Sequence, residues 1–295
     1  MARPLRIELA GAVYLVSARA QGDTQVFVDD ADRRSLLEVV AQAMHRFDAQ
    51  VLAYTLTQTH YELLVFTRQA NLARLMRHIN GVYTQHHHGR HGSTGHVFRG
   101  RYKSLLVDRE RHLLEACIHV DRCAVREGLV NKSSDRPEAW AQAWPWSSCA
   151  VHLGLSPAPD WLDVQGLHSH VAGEWVDTQA AHRRAARRYG QMLVQAAPAS
   201  LDGQVRHQVF WGDAAFEARV SRERRLAARR HDSAYGLARG LRARRMALLQ
   251  GPRDEVLYKA HTQAGVAMSQ LAREVGLSVS RVSRLISAYE QRSGA

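Results

Sequence analysis

The sequence predicts an α+β protein in which an antiparallel sheet carries packed helices, followed by an all-α basic region that ends in a helix-turn-helix. The first 110 residues alternate between strand-like and amphipathic helical segments, the order expected of a sheet covered by helices. Between Glu217 and Arg245 the chain has ten arginines against three acidic residues. Near the end of the sequence, a helical pattern is divided by Gly276 at a spacing typical of DNA-binding helix pairs.

Composition and charge limit the function classes. The 295 residues are 45% hydrophobic and 23% charged, which predicts a globular chain, and no apolar run is long enough for a membrane helix. The start of the chain lacks the features of a signal peptide, and three cysteines without a pairing framework suit a cytoplasmic location. A formal net charge of +12 favours a polyanionic partner, of which nucleic acid is the most common.

The first elements follow from hydrophobic periodicity. The pattern predicts a strand over 6–18, a helix over 33–47, strands near 51–54 and 63–66, and a second helix over 72–83. The next segment begins at 85, mixes five histidines with four glycines, and is expected to be a flexible loop able to contact phosphate. A histidine-rich metal site is the alternative, but the histidine spacing matches no zinc pattern.

Basic residues lead into the next strand. Arg99, Arg101 and Lys103 enter a predicted strand over 102–107 and are candidate DNA contacts, and a third helix is expected after Asp108 to about 125. From 131 the pattern weakens, and a linker is plausible near 175. The expected domains are therefore 1–154, an irregular and then basic helical region over 155–250, and a helix-turn-helix domain over 251–295.

The C-terminal pattern predicts DNA contacts. Ala272 is small where two helices would cross, Gly276 permits the turn, and Val282 packs back six residues later. An unrelated helical hairpin is the alternative. The second helix would begin near Val279 and present four residues to a major groove, namely Ser280, Arg281, Ser283 and Arg284.

A polar pair lies within an apolar strand. His60 and Glu62 stand two residues apart in the strand-like segment 55–67, so alternation places both side chains on one face of the sheet. Such a pair can hold a divalent metal ion, or it can be an ordinary pair on a sheet surface. The strand alone favours the second interpretation.

Seven stretches together resemble a known family. They are ARPLRIELAGAVYLV, FVDDADRRSLL, THYELLV, NLARLMRHINGVYTQ, GHVFRGRYKSLLVD, LLEACIHVDRCAVREGLV and WPWSSCAVHLG. In this order and spacing they resemble the REP-associated, insertion-sequence type of single-strand DNA transposase, and they cover about half of the chain. A C-terminal helix-turn-helix is also common in longer members of that family.

The resemblance implies both a fold and a reaction. It implies an α+β domain whose central strand carries a His-hydrophobe-His motif that binds Mg²⁺ or Mn²⁺. A helix tyrosine would attack a phosphate of single-stranded or hairpin-ended DNA to form a 5′-phosphotyrosine, and a polar residue one turn later would complete the metal shell. Members are monomeric or dimeric, and a homodimer is left open here.

The chain departs from the family at the residues of the reaction. His60 matches the first motif histidine, but Glu62 stands at the second and His119 stands at the position of the catalytic tyrosine. Three further departures are Thr59 for an asparagine, Leu15 for a histidine, and Cys123-Ala124 for the Asn-Pro that supplies the third metal ligand.

Two interpretations follow from these departures. In the first, the protein is a transposase relative that has lost cleavage and kept DNA binding, since histidine cannot form a phosphotyrosine and cysteine is a poor ligand for a hard ion. In the second, His60 and Glu62 still bind Mg²⁺ or Mn²⁺ and His119 acts as the nucleophile. Zinc held by His60, Glu62, His119 and Cys123 is the least favoured metal assignment. Packing or DNA contact is the expected role of Tyr83 and Tyr102, the other candidate nucleophiles.

Overall fold

Two units divide the chain, Met1–Arg219 and Val220–Ala295. The structure is a computed structural model that describes residues 7–22, 25–130, 136–196, 205–226, 252–262 and 266–293. Most of the arginine-rich segment between Glu217 and Arg245 lies outside these ranges.

A six-stranded sheet forms the centre of the first unit, in the order β2-β3-β1-β4-β6-β5. Its strands are β1 (Ala12–Arg19), β2 (Ala49–Leu56), β3 (His60–Thr67), β4 (Lys103–Val107), β5 (Val205–Arg206) and β6 (Phe210–Trp211). The first four strands pair antiparallel, whereas β6 joins β4 in parallel. The predicted α+β class, an antiparallel sheet with packed helices, is confirmed, with the addition that the complete sheet is mixed.

The helices of the first unit cover this sheet. They are α1 (Asp30–Phe47), α2 (Leu72–His91), α3 (Arg109–Asp121), α4 (Cys123–Arg126), α5 (Pro137–Ala143), α6 (Cys149–His152), α7 (Val164–Ala172) and α8 (Gln179–Gln195). A further helix, α9, begins at 214, and its described part ends at 226. The helix and strand segments predicted from periodicity are present, with boundaries shifted by several residues.

The expectation of a loop beginning at 85 is wrong for its first seven residues. α2 continues through the histidines to His91 and ends where Gly92 adopts a left-handed conformation, with φ of 60°. Tyr83 and His87 are both buried and lie four residues apart, so the apolar stripe of the helix continues beyond 83. The polar composition of the segment concealed this stripe.

A buried hydrogen-bond network joins α8 to α3 and to the start of α6 within the first unit. Asp121 in α3 is 3% exposed and accepts hydrogen bonds from Ser148 Oγ at 2.5 Å and Tyr189 OH at 2.7 Å. His152 Nδ1 lies 2.6 Å from the same carboxylate. Helices α7 and α8 also contribute to the apolar core under β1 and β3. These contacts lie within the Met1–Arg219 unit, and the domain boundary expected at 154 stays a prediction.

Two short strands also lie within the region expected to be irregular and then basic and helical. β5 and β6 fall within 155–250 and extend the sheet beyond β4. Strands of two residues are too short to produce a periodic signal, so the sequence pattern could not reveal them.

The second unit contains three described helices after 252, namely α10 (Arg253–Thr262), α11 (Met268–Val275) and α12 (Val279–Ser293). Their apolar faces meet in one cluster of Leu257, Ala260, Leu271, Ala272, Val282 and Ile286. Gly276 has φ of 67° and its N–H bonds to the Ala272 carbonyl, which ends α11 in the manner of a left-handed cap. In the described ranges, no helix is both long and apolar enough to cross a membrane.

Candidate functional site

His60 and Glu62 lie on the face of the sheet that is covered by α3. Glu62 pairs across the sheet with Thr55 of β2 and Ser17 of β1, and Ser17 pairs in turn with Lys103 of β4. His60 is fully buried and Glu62 is 7% exposed. The same-face placement predicted from strand alternation is therefore present in the structure.

The ring of His60 has a fixed orientation. Its Nδ1 lies 2.9 Å from Thr57 Oγ1, in the turn between β2 and β3. This contact directs Nε2 toward Cys123, whose Sγ is 3.9 Å away, and toward Glu127, whose Oε1 is 4.0 Å away. The short turn thus sets which nitrogen of the imidazole faces the covering helices.

His119 and Cys123 face His60 and Glu62 from the helices that cover this side of the sheet. α3 packs on the sheet through Ala116, Cys117 and Val120. His119 Nε2 lies 3.8 Å from Glu62 Oε2, and its ring meets Trp211 edge-on with centroids 5.7 Å apart. The structure therefore brings together all four predicted residues, His60, Glu62, His119 and Cys123, although their roles stay predictions.

Arg126 is the residue at the centre of this cluster that the sequence analysis missed. Its Nη2 donates to Glu62 Oε2 at 2.9 Å, and its Nη1 donates to the His119 carbonyl at 2.8 Å. The residue stands three positions after Cys123 and seven after His119, a spacing that places it on the same helical face. That spacing was a signal available in the sequence.

Burial shifts the pKa values of all four residues in this cluster toward their neutral forms. Burial lowers the pKa of His60 to about 4, assisted by Arg19 and Arg126, and burial with Arg126 lowers that of His119 to about 3. Both imidazoles are therefore neutral at pH 7. Burial raises the pKa of Glu62, which Arg126 opposes, and burial raises the pKa of the Cys123 thiol far above its ordinary value.

The donor set is a poor match for a hard divalent ion. Ligand atoms of His60, Glu62 and Cys123 lie within 4.8 Å of one another, so the structure has a group of residues able to surround a metal. However, Cys123 presents a protonated thiol, and Glu62 is the one carboxylate of the three and is already bound by Arg126. Mg²⁺ and Mn²⁺ prefer several oxygen ligands, so these residues do not fit either ion well.

The tyrosines considered as substitute nucleophiles belong to the other side of the sheet. Tyr83 is fully buried and donates its hydroxyl hydrogen bond to the Val26 carbonyl at 2.5 Å. Tyr61, next to Glu62 in β3, donates to Asn80 Oδ1. Tyr102 lies close to Tyr61 and Tyr14, whose positions alternate with those of the Glu62 face. The hydroxyl groups of Tyr83 and Tyr61 are therefore hydrogen-bonded on the side of the sheet away from Glu62.

A basic rim borders the cluster. Arg19, Arg99, Arg101 and Lys103 are all exposed, and the Arg99 N–H bonds to the Arg19 carbonyl at 2.8 Å. Lys103 lies two strands from Glu62, which is about 10 Å at the usual strand spacing. The rim therefore places cations along one edge of the cluster.

The candidate DNA-contacting residues of the second unit lie on the outer face of α12. Ser280, Arg281 and Arg284 are exposed, and Ser283 is half-buried. Val282 and Ala272 are buried between the helices, as the predicted spacing requires. The helix pair and its turn are present, and duplex binding by it stays a prediction.

Comparisons with known proteins add two solved structures. No protein-family model and no curated protein matches the chain. A REP-associated tyrosine transposase bound to a REP hairpin is similar at 15% identity and a TM-score of 0.43, covering 55% of this chain and 94% of that chain. A candidate transposase from Deinococcus radiodurans R1 is similar at 15% identity and a TM-score of 0.29, covering 39% of this chain and 92% of that one. Neither match establishes a family or an activity.

Proposed function

We propose that this protein binds single-stranded or hairpin-ended DNA along the basic rim of its sheet and duplex DNA through α12, without metal-dependent strand cleavage. The observation that carries the proposal is the Arg126 guanidinium bound to Glu62, where a metal platform would require a free carboxylate. The transposase resemblance implies DNA binding, and this proposal keeps that binding without the strand cleavage.

Arg126 and a divalent ion would compete for the same position. The guanidinium lies 2.9 Å from Glu62 Oε2 and, with Arg19, contributes positive potential at both His60 and Glu62. A second cation in this partly buried space would meet strong repulsion, because charges interact more strongly there than in water. The positive charge that a metal would supply next to a DNA phosphate is thus already present as arginine.

The nucleophile position also argues against cleavage. His119 has no hydroxyl group, is only 6% exposed, and has its two ring nitrogens near Arg126 and Glu62, at 3.5 and 3.8 Å. A phosphate would have to displace one of these neighbours to reach the imidazole. The arrangement is therefore suited to a packed interior and poorly suited to in-line attack.

Binding to DNA is supported by the exposed cations. Arg99, Arg101 and Lys103 are exposed and can contact phosphates, and each such contact would contribute a salt-dependent increment to affinity. On α12, Ser280, Arg281 and Arg284 form an exposed polar face whose opposite side is anchored by Val282. A helix of this type can read base edges in the major groove.

A second candidate function is DNA nicking with His119 as the nucleophile. It is favoured by the position of His119, whose Nε2 lies 3.8 Å from Glu62 Oε2, a carboxylate able to orient the imidazole. In that reaction a ring nitrogen would form a bond to phosphorus, and the 3′ oxygen of the upstream nucleotide would leave.

One experiment separates the two functions. A 3′-labelled hairpin oligonucleotide is incubated with the full chain and Mn²⁺, and covalent protein–DNA adducts and shortened products are separated by denaturing electrophoresis. We expect neither, together with salt-sensitive binding that weakens in Lys103→Ala. An adduct that disappears in His119→Ala and persists in the control Tyr102→Phe would overturn the proposal. Unchanged affinity in Lys103→Ala would show that the basic rim is not part of the DNA-binding surface.

A further inference from the structure

We propose that Asp32, His87 and His91 form a binding site for a divalent transition-metal ion of the zinc type, joining the first turn of α1 to the last turns of α2. This inference is independent of the proposed DNA function. The site lies on the opposite side of the sheet from Glu62. The ring centroids of His87 and Tyr83 are 6.1 Å apart, and both residues belong to α2, which covers that opposite side.

The three side chains converge through helix geometry. His87 and His91 are four residues apart on α2, so they share one helical face, and their ring centroids are 4.6 Å apart. Asp32 faces them from α1, with its carboxylate oxygens 2.9 and 3.0 Å from His91 Nε2. All three ligand atoms lie within 4.8 Å of one another. Tetrahedral zinc separates its ligand atoms by roughly 3.3 Å, so movements of about 1 Å would complete the site.

His87 provides an independent indication of a missing ligand. Its side chain is buried, with 9% exposure, and its Nε2 has no hydrogen-bond partner among the described residues. Nδ1 lies 3.4 Å from Ser93 Oγ, which leaves Nε2 as the nitrogen available to an ion. Buried polar atoms are rarely left without a partner, and a contact at the second nitrogen is the usual way in which proteins orient a metal-binding imidazole.

Arg90 is the competing cation at this site, and it has another partner. Its guanidinium contacts Asp32, but it also binds Asp29 through both nitrogens, at 2.8 and 3.1 Å. Release of Asp32 to a metal would therefore leave Arg90 paired. Arg126 differs, because Glu62 is its one carboxylate partner within ion-pair distance in the described part of the chain.

The donor atoms of these three side chains suit a metal ion of the zinc type. Two imidazoles and one carboxylate suit Zn²⁺, Co²⁺ and Ni²⁺. The His91 side chain is 22% exposed, which leaves a route for the ion and a water ligand.

Cobalt titration of the chelator-treated full chain tests the site. We expect one equivalent of Co²⁺ to bind with d–d absorption bands and without a thiolate charge-transfer band, and Zn²⁺ to displace it. His87→Gln and His91→Gln should each weaken Co²⁺ binding about tenfold or more. His88→Gln is the matched control on the same helix, since His88 contacts Ser93 and the Gly95 carbonyl instead, and it should bind as the unaltered protein does.

The same titration can overturn the site. Absence of binding, unchanged affinity in both His87→Gln and His91→Gln, or an equal loss in His88→Gln would do so. A charge-transfer band that disappears in Cys123→Ser would place the ion at the His60 cluster instead. Circular dichroism checks that each variant is folded, and Zn²⁺ should raise the melting midpoint of His88→Gln but not of His91→Gln.

Discussion

Replacement of Arg126 by methionine removes the guanidinium that pairs with Glu62 and keeps an unbranched apolar stem. Breaking a buried ion pair from one side costs about 3 to 5 kcal/mol, because the remaining charge is left without a partner. The Arg126 side chain is 31% exposed and Glu62 can escape by taking up a proton, so we expect a loss of about 2 to 3 kcal/mol at pH 7.5.

The loss should depend on pH with a defined sign. The folded-state pKa of Glu62 is raised by burial and held down by Arg126, so removing Arg126 raises it further. A carboxyl whose pKa is higher in the folded state makes folding less favourable as pH rises through that pKa. The difference between variant and parent should therefore shrink as the pH falls below 7.5, because Glu62 takes up a proton in both folded proteins.

Urea unfolding followed by tryptophan fluorescence measures this effect selectively. All six tryptophans lie between 140 and 211, within the Met1–Arg219 unit. The double variant Glu62→Met, Arg126→Met is the matched control, since replacing both charges by apolar side chains is usually close to neutral. Unchanged stability in Arg126→Met, or a double variant as unstable as the single one, would refute the electrostatic reasoning.

Three further predictions concern other parts of the chain. Asp121→Ala removes the acceptor for Ser148 and Tyr189 and should cost about 3 kcal/mol in the same urea assay, and a change below 1 kcal/mol would mean that the network is not stabilising. Gly276→Ala forces a residue with Cβ into φ of 67° and should lower the stability of the C-terminal helices by about 1 kcal/mol in calorimetry, with an unchanged transition as the contrary result. Arg281→Ala should weaken duplex DNA binding about tenfold in fluorescence anisotropy while hairpin binding is retained, and equal loss of both would contradict separate surfaces.

Much of the fold follows from hydrophobic periodicity. The strands and helices of the first 125 residues are predicted because long, half-buried elements repeat their apolar positions many times. Strand alternation placed His60 and Glu62 together, and a spacing of four placed His119 and Cys123 on one helical face. The gathering of these four residues was thus accessible from the sequence with the help of the family resemblance.

The rest of the fold and of the candidate site depends on tertiary contacts that produce no periodic signal in the sequence. β6 pairs with β4 in parallel through only two residues, Phe210 and Trp211, and such a short strand has no period. The hydrogen bond between Tyr189 and Asp121 joins residues 68 positions apart in the sequence, and neither helical nor strand periodicity predicts such a contact. Arg126 was missed because an arginine beside a candidate metal site is easily assigned to solvent, although its helical face was predictable.

The metal dependence of hairpin DNA binding tests the central claim most directly. Affinity for a hairpin oligonucleotide is measured by fluorescence anisotropy in EDTA and in Mn²⁺ at one fixed ionic strength, with denaturing electrophoresis of the same samples. Because Arg126 already supplies the positive charge beside Glu62, we predict affinities equal within about twofold, with intact DNA in both. Binding that strengthens tenfold or more in Mn²⁺, accompanied by cleaved DNA, would contradict the account.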